Sequence, residues 1–204
     1  MANGPAATTA SRAALLELRQ EREVVQQGHD FLDEKRILLA RQLLKRLDEY
    51  RDARARLEEA ETHARQTLAK AIASHGLEYL QLHPPPPLER LELVLGSDSY
   101  LGMSLPRAEL RLAFADGDAG ALAECARAYA GVAGQAAHLA AREAALLRLM
   151  ADYRRTERRV RALENLILPE LRQAERDMED ALEENEQEEA VRVRLFAGGR
   201  QLVS

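Results

Sequence analysis

Apolar residues recur every seven positions along most of this chain. One series runs through Leu18, Val25, Leu32 and Leu39, then continues through Leu43, Tyr50, Leu57, Ala64 and Ala71 at the same interval. A second runs through Val132, Leu139, Leu146, Tyr153, Val160 and Ile167, with Met150, Leu171 and Met178 as its other half. A seven-residue period keeps one stripe of a helix turned toward a partner helix, so each series predicts a long coiled-coil helix. At about 1.5 Å per residue, a helix over residues 12–75 is about 95 Å long, and only a partner can bury its stripe. The second series, in the same chain, is that partner.

Between the two series the pattern changes. His75-Gly76 and the run Pro84 to Pro87 stop the first helix, because proline lacks an amide donor and restricts the residue before it. From Leu88 to Phe114 the period falls to two: Leu91, Leu93 and Leu95 alternate in one run, Leu110, Leu112 and Phe114 in the next. Gly96-Ser97-Asp98-Ser99 and Gly102 supply turn chemistry between the runs, which predicts a β-hairpin. Asp116-Gly117-Asp118 then opens the second helix. So compact a connection forces the helices to run antiparallel. The fold class is all-α: a long two-helix antiparallel coiled coil with a small β-hairpin insert at the distal turn. Its expected parts are a flexible segment 1–10, a helix 11–76 capped by Ser11 or Thr9, a loop and hairpin cap 77–117, a helix 118–196 and a flexible tail 197–204. With the hairpin centred near residue 97, Arg36 faces Arg159 and Gly28 faces Ile167.

Composition narrows the functions open to such a chain. Aromatic residues are 4% of the 204 residues and charged ones 31%, which suits long helices with solvated flanks and not an aromatic-rich globular core. The net charge of −5 is modest and the cations are interleaved with acids, so no nucleic-acid partner is expected. Cys125 is the single cysteine, which excludes an internal disulfide; it reads as a small buried or half-buried side chain. The longest stretch without a charged residue, Ala128 to Ala141, is shorter than the roughly 20 residues that span a bilayer. A cytoplasmic chain with no direct membrane insertion is expected. Neither Lys35, Lys45 nor Lys70 follows a glycine as a phosphate-loop lysine would, and His29, His63, His75, His83 and His138 lack metal-ligand spacing. No catalytic residue, cofactor site or metal site is assigned.

Two segments exceed what heptads require: GHDFLDEKRILL at 28–39 and RRTERRVRALENLILPEL at 154–171. The first carries Gly28, Leu32, Lys35 and Arg36. The second carries Arg158, Arg159, Val160, Ala162, Leu163 and Glu164, then Pro169 inside the last helix. In spacing and order this resembles the D subunit of the V/A-type rotary ATPases, which has a Gly-x-x-x-Leu-x-x-Lys-Arg pattern early in its first helix and an Arg-rich run leading into Val-x-Ala-Leu-Glu and a proline. The likeness covers about 30 residues at the start and 45 at the end. It departs at Arg161, where the family usually has Asn, and at the Phe196-Ala-Gly-Gly ending, where a basic tail is common.

The resemblance implies a non-catalytic rotor shaft that transmits torque between a catalytic head and a membrane ion-translocating ring. The partners it implies are the catalytic A and B subunits, the companion F subunit and the membrane-proximal socket subunit (C/d), with the chain peripheral to the membrane in a membrane-bound complex. The head contacts it suggests are Lys35, Arg36, Arg154, Arg155, Arg158 and Arg159 of a basic collar that also includes Arg161, the helix-bending Pro169, and the apolar tip Leu195 and Phe196. The companion would approach Tyr50, Leu57, Tyr129, Gly131 and Gly134, within 45–75 and 119–150. Heptads alone would also suit a non-rotary coiled-coil scaffold or export-apparatus stalk.

Overall fold

The computed structural model describes residues 11–82, 91–112 and 120–199. Helix α1 spans Arg12–Leu82, strands β1 and β2 span Leu91–Tyr100 and Met103–Leu112, and α2 spans Ala121–Ala162. A π-helical turn, Leu163–Ile167, separates α2 from α3, Leu168–Gly199. The chain divides into two compact units, Met1–Ile37 with Arg154–Ser204, and Leu38–Tyr153. Thr9, Pro84 to Pro87, Phe114 and Asp116 to Asp118 lie outside the described residues.

Ser11 begins α1. Its side-chain oxygen accepts the Ala14 N–H at 3.1 Å and its carbonyl accepts the Leu15 N–H at 3.0 Å, which satisfies donors that a helix start leaves open. The regular helix then continues to Gly76, whose φ of 79° and ψ of 160° break it before a last short stretch to Leu82. Only glycine adopts that backbone region at low cost, so the break falls where His75-Gly76 predicts it.

The seam of α1 is as expected: every residue of the first heptad series is buried or half-buried, with Leu39, Ala64 and Ala71 sealed. Along α2 the deepest position is Leu149, at 0% exposure, while the neighbouring Met150 is half-buried. Thr156 and Val160 continue the buried row. Thr67 on α1 is buried too, its hydroxyl donating back to the His63 carbonyl at 2.9 Å, which removes the cost of enclosing it.

The heptad expectation fails at Ile167, which is 37% exposed, whereas Leu168 is 4% exposed. The π turn is the reason. The Leu168 N–H reaches back to the Leu163 carbonyl, five residues away, so one extra residue is accommodated in that turn. The seam then resumes one position later at Leu168, Leu171 and Met178, and Glu170 is exposed. Pro169 follows directly. Its ring cannot donate to, and crowds, the carbonyl four residues earlier, and a widened turn relieves that conflict.

The hairpin is a two-residue connection with β1 and β2 antiparallel, pairing Leu91 with Leu112 at the base and Tyr100 with Met103 at the tip. Both turn residues have positive φ, Leu101 at 47° and Gly102 at 81°, the geometry that matches strand twist in short hairpins. Gly96 to Ser99, expected in the turn, lie inside β1 instead. The packing also differs from a cap beyond the helix ends. Leu105 on β2 is buried against Leu39 of α1 and Ala145 and Leu149 of α2, with Tyr100, Met103, Leu43 and Tyr153 around them. Arg148 Nη1 donates to the Ser104 carbonyl at 2.7 Å, and the Tyr100 hydroxyl to the Leu38 carbonyl at 3.4 Å. The ribbon therefore folds back along the helices, its tip level with residues about 55 Å before Gly76 at 1.5 Å per helical residue. Leucines that alternate in the sequence, Leu93 and Leu95, remain exposed because the ribbon's other face makes the tip contact.

Two outcomes follow. Leu168→Ala should cost about 2–4 kcal/mol of stability while Ile167→Ala costs under about 1, measured by urea unfolding; an unshifted heptad would reverse that order. Cys125 is buried and burial pushes its thiol pKa up, so at neutral pH it is a thiol and not the reactive thiolate. An aromatic disulfide reagent should label it far more slowly in the native protein than in the urea-unfolded chain.

Candidate functional site

Among the described residues no group of three or more His, Cys, Asp or Glu side chains is placed to hold a metal ion, and no helix is long and apolar enough to cross a membrane. What the sequence offers instead are surfaces, and each of the two units carries one of the expected sets.

The unit formed by residues 1–37 and 154–204 holds the expected head contacts. Thr156 and Val160 point into the seam. At about 100° per residue, Arg154, Arg158 and Arg161 then lie opposite that stripe and Arg155 and Arg159 on one flank. Arg161 Nη2 is tied to Glu157 Oε1 at 2.6 Å, whereas Arg154, Arg155, Arg158 and Arg159 are exposed and make no ion pair among the described residues. A collar of unneutralised guanidinium groups is thus presented outward. On α1, Arg36 pairs with Asp33 one turn earlier and Lys35 is half-buried. Asp30 accepts hydrogen bonds from His29, at 3.0 Å, and from Gln26, at 2.9 Å, which hold its carboxyl below the usual range.

The same unit exposes an apolar set that periodicity alone did not mark as functional. Val24 and Phe31, seven residues apart on α1, are 66% and 68% exposed, and Leu166 on the π turn is 56% exposed. Phe31 stands within the 28–39 segment, off the seam. That off-seam aromatic is the signal by which the sequence could have revealed it. Pro169 is exposed beside the π turn. Val191, Val193 and Leu195 are all exposed on α3; Val191 and Leu195, four apart, share one face and Val193 lies on the opposite one, so no single surface can cover all three. Phe196 is helical in backbone, and its side chain lies outside the described residues.

The acidic stretch 175–189, which reads as a solvated face, is partly an interhelical clamp. Arg19 meets Glu175 at 3.0 Å and Glu179, Arg22 Nε lies 3.0 Å from Glu175 Oε2, and Arg12 meets Glu186 at 2.7 Å. These pairs set residues 12–22 against 175–186, the antiparallel register that the sequence predicts. Hydrogen bonds donated to Glu186 and Glu179 raise the pKa of Arg12 and Arg19 respectively.

The unit formed by residues 38–153 holds the expected companion contacts. Tyr50 and Leu57 are half-buried, Tyr129 is 43% exposed, and a Cβ added at Gly131 or Gly134 would meet nothing within 4 Å. Beneath them Ala53, Ala64, Ala71 and Cys125 are buried, so small side chains line the seam and backbones can approach closely there. Sequence reasoning missed a neighbouring feature: an open apolar groove of about 400 Å³ lined by Ala40, Leu43, Leu44, Leu47, Leu146, Met150 and Tyr153. Leu43 belongs to the first heptad series and Leu146, Met150 and Tyr153 to the second, whereas Ala40, Leu44 and Leu47 lie in neither, and the pattern does not tell a covered seam position from an uncovered one.

The sequence profile of the ATP synthase D-subunit family matches residues 14–197. The chain is 34% identical over 200 residues to the D subunit of the V-type ATP synthase of Anaeromyxobacter dehalogenans, covering 94% of this chain and 95% of that one. It is 29% identical over 195 residues to the V-type D subunit of Thermotoga neapolitana, with 90% and 94% covered. It is 29% identical over 197 residues to the A-type D subunit of Methanopyrus kandleri, with 90% and 83% covered.

Proposed function

Because this chain belongs to the ATP synthase D-subunit family, we propose that its two units divide the work of a rotor shaft, one seated in the catalytic head and the other carrying the companion F subunit. The chain is a non-catalytic subunit of a V/A-type ATP synthase, the rotor-shaft component that links the head to the membrane ring. The observation that carries the division is the outward basic collar: four exposed arginines without ion-pair partners among the described residues, on the same unit as the apolar Val24, Phe31 and Leu195.

A shaft turning inside a ring of catalytic A and B subunits needs contacts that are strong enough to transmit force and non-specific enough to be exchanged. Guanidinium groups on a helix meet those terms. They attract acidic loops over several ångströms, and their pairing with any one carboxylate at a wet surface is weak, about 0–1 kcal/mol. Lys35 and Arg36 add cationic groups on α1, Arg36 already held by Asp33. Pro169 and the π turn rephase the seam beside this collar, so the helix faces above and below it present different azimuths to the surrounding ring. Leu195 and Phe196 on α3 fit an apolar bearing at its end.

The second unit suits the companion F subunit. The groove at Leu44, Leu47, Leu146 and Met150 and the smooth stretch at Tyr129, Gly131 and Gly134 offer apolar and small surfaces on which a helix can lie closely. Tyr50 and Leu57 lie along the same helix. The membrane-proximal socket subunit (C/d) would take the part of this unit nearest the Gly76 break. The whole complex is membrane-bound, and this chain is peripheral to the bilayer.

Two measurements test the reading. Charge reversal at Arg155 and Arg158 should lower ATP-driven torque in the assembled complex, with helix content unchanged by circular dichroism; unaltered torque would remove the collar from the coupling path. Adding the companion should slow amide hydrogen exchange within 40–57 and 129–150 and leave 154–161 unaffected, and protection confined to the basic collar would reverse the assignment.

A further inference from the structure

We propose that the cleft between the hairpin and the two helices is a binding site for a tetrahedral oxyanion, of the chemical class of phosphate. The cleft has a volume of about 270 Å³ and is lined by Arg46 of α1, His138 and Arg142 of α2, and Asp98, Pro106 and Arg107 of the hairpin, among others. All of them belong to the unit 38–153. A water takes about 30 Å³ of liquid, so the space accommodates a small anion with part of its hydration shell.

The charge and hydrogen-bond balance of the wall decides the ligand class. Three guanidinium groups carry fifteen N–H donors between them and no acceptor, on the count of five per arginine. The acceptors supplied from within are few. Glu49 takes Arg46 Nη1 at 3.0 Å with its carboxylate, and Arg142 Nη1 at 2.8 Å with its backbone carbonyl. Arg46 Nε is shut off from solvent and has no hydrogen-bond partner. Among the lining residues the one acid is Asp98, whose side chain is exposed, and no ion pair holds it among the described residues. Even with Glu49 and Asp98 both ionised and His138 neutral, the cations outnumber the acids. The wall therefore lacks acceptors with negative charge, which an oxyanion supplies through charge-assisted bonds to several guanidinium groups at once.

Geometry adds a consequence for the fold. Arg46 and Arg142 come from the helices and Arg107 from β2, so an anion in the cleft bridges the hairpin to the shaft. Among the described residues the links there include the Leu105 contact, two hydrogen bonds nearer the tip and the burial of Ala108. Occupancy would add a polar tie to these. Free inorganic phosphate and the terminal phosphate of a nucleotide share this chemistry, and both are reactants of the complex to which the chain belongs.

The test is titration calorimetry on the full chain with sodium phosphate against sodium chloride at matched ionic strength, repeated with ADP and ATP. Saturable one-to-one phosphate binding is expected, weakened about tenfold by Arg142→Gln and by Arg107→Gln, strengthened severalfold by Asp98→Asn, and unchanged by Arg51→Gln, an exposed arginine elsewhere on α1. Arg107 is exposed on a strand, so its replacement tests the site without touching the helical seam. Amide exchange in 103–112 should slow when phosphate is added. Tighter binding of ADP or ATP, in competition with phosphate, would identify a nucleotide phosphate as the occupant, and no such competition would identify the free ion. Phosphate heats equal to those of chloride, or binding undiminished in both Arg107→Gln and Arg142→Gln, would overturn the site.

Discussion

Each long helix needs a partner for its apolar stripe, and this single constraint governs the rest of the molecule. A stripe left in water for tens of residues would not hold a helix, since propensity alone contributes little at that length. The residues that close the stripe are small or aliphatic: Ala53, Ala64 and Ala71 in one stretch, Leu39, Leu149 and Val160 in another. Since the seam is made of many such contacts, each contributing modestly, the outward faces are released from structural duty. That release is what permits four arginines at 154–159 to stand outside any ion pair among the described residues, and an acidic stretch to spend some of its charges on Arg12, Arg19 and Arg22.

The two helices and their direction are legible in the sequence because a period of seven survives over more than a hundred residues, and Gly76 is legible because no other residue tolerates its backbone. The antiparallel register is legible too, and the pairing of residues 12–22 with 175–186 follows it. What was not legible was the extra residue in the turn at Leu163–Ile167. Ile167 and Leu168 are both large aliphatics, and a linear pattern cannot tell which one faces inward once the local period changes. Pro169 signals a disturbance without saying that an extra residue is inserted in the turn before it.

The hairpin was legible as an element and not as a neighbour. Alternation at Leu91, Leu93 and Leu95 fixes strand character, yet it suggests the wrong packing face, since contact with the helices is made by Leu105, Tyr100 and Met103. The face with Leu105, Tyr100 and Met103 also carries Asp98, Arg107 and Glu109 and is the less apolar of the two, so the sequence points away from it and only tertiary contact decides. The candidate surfaces share this limit. Exposed arginines can be named from sequence, but their lack of ion pairs, and the convergence of Arg46, Arg107 and Arg142 on one cleft, depend on elements that are 35 or more positions apart in the chain.

The backward fold of the hairpin has a mechanical meaning for the segment it accompanies. Slender elements that slide freely past one another add their bending stiffness, whereas elements fastened against sliding resist bending out of proportion to their number. Leu105 set among Leu39, Ala145 and Leu149, with Arg148 holding the Ser104 carbonyl, is such a fastening. Around Leu39 and Leu149 the helices are splinted by a third element, so a load applied there is carried by a beam of greater depth, and flexure is displaced to the stretches that have no ribbon alongside.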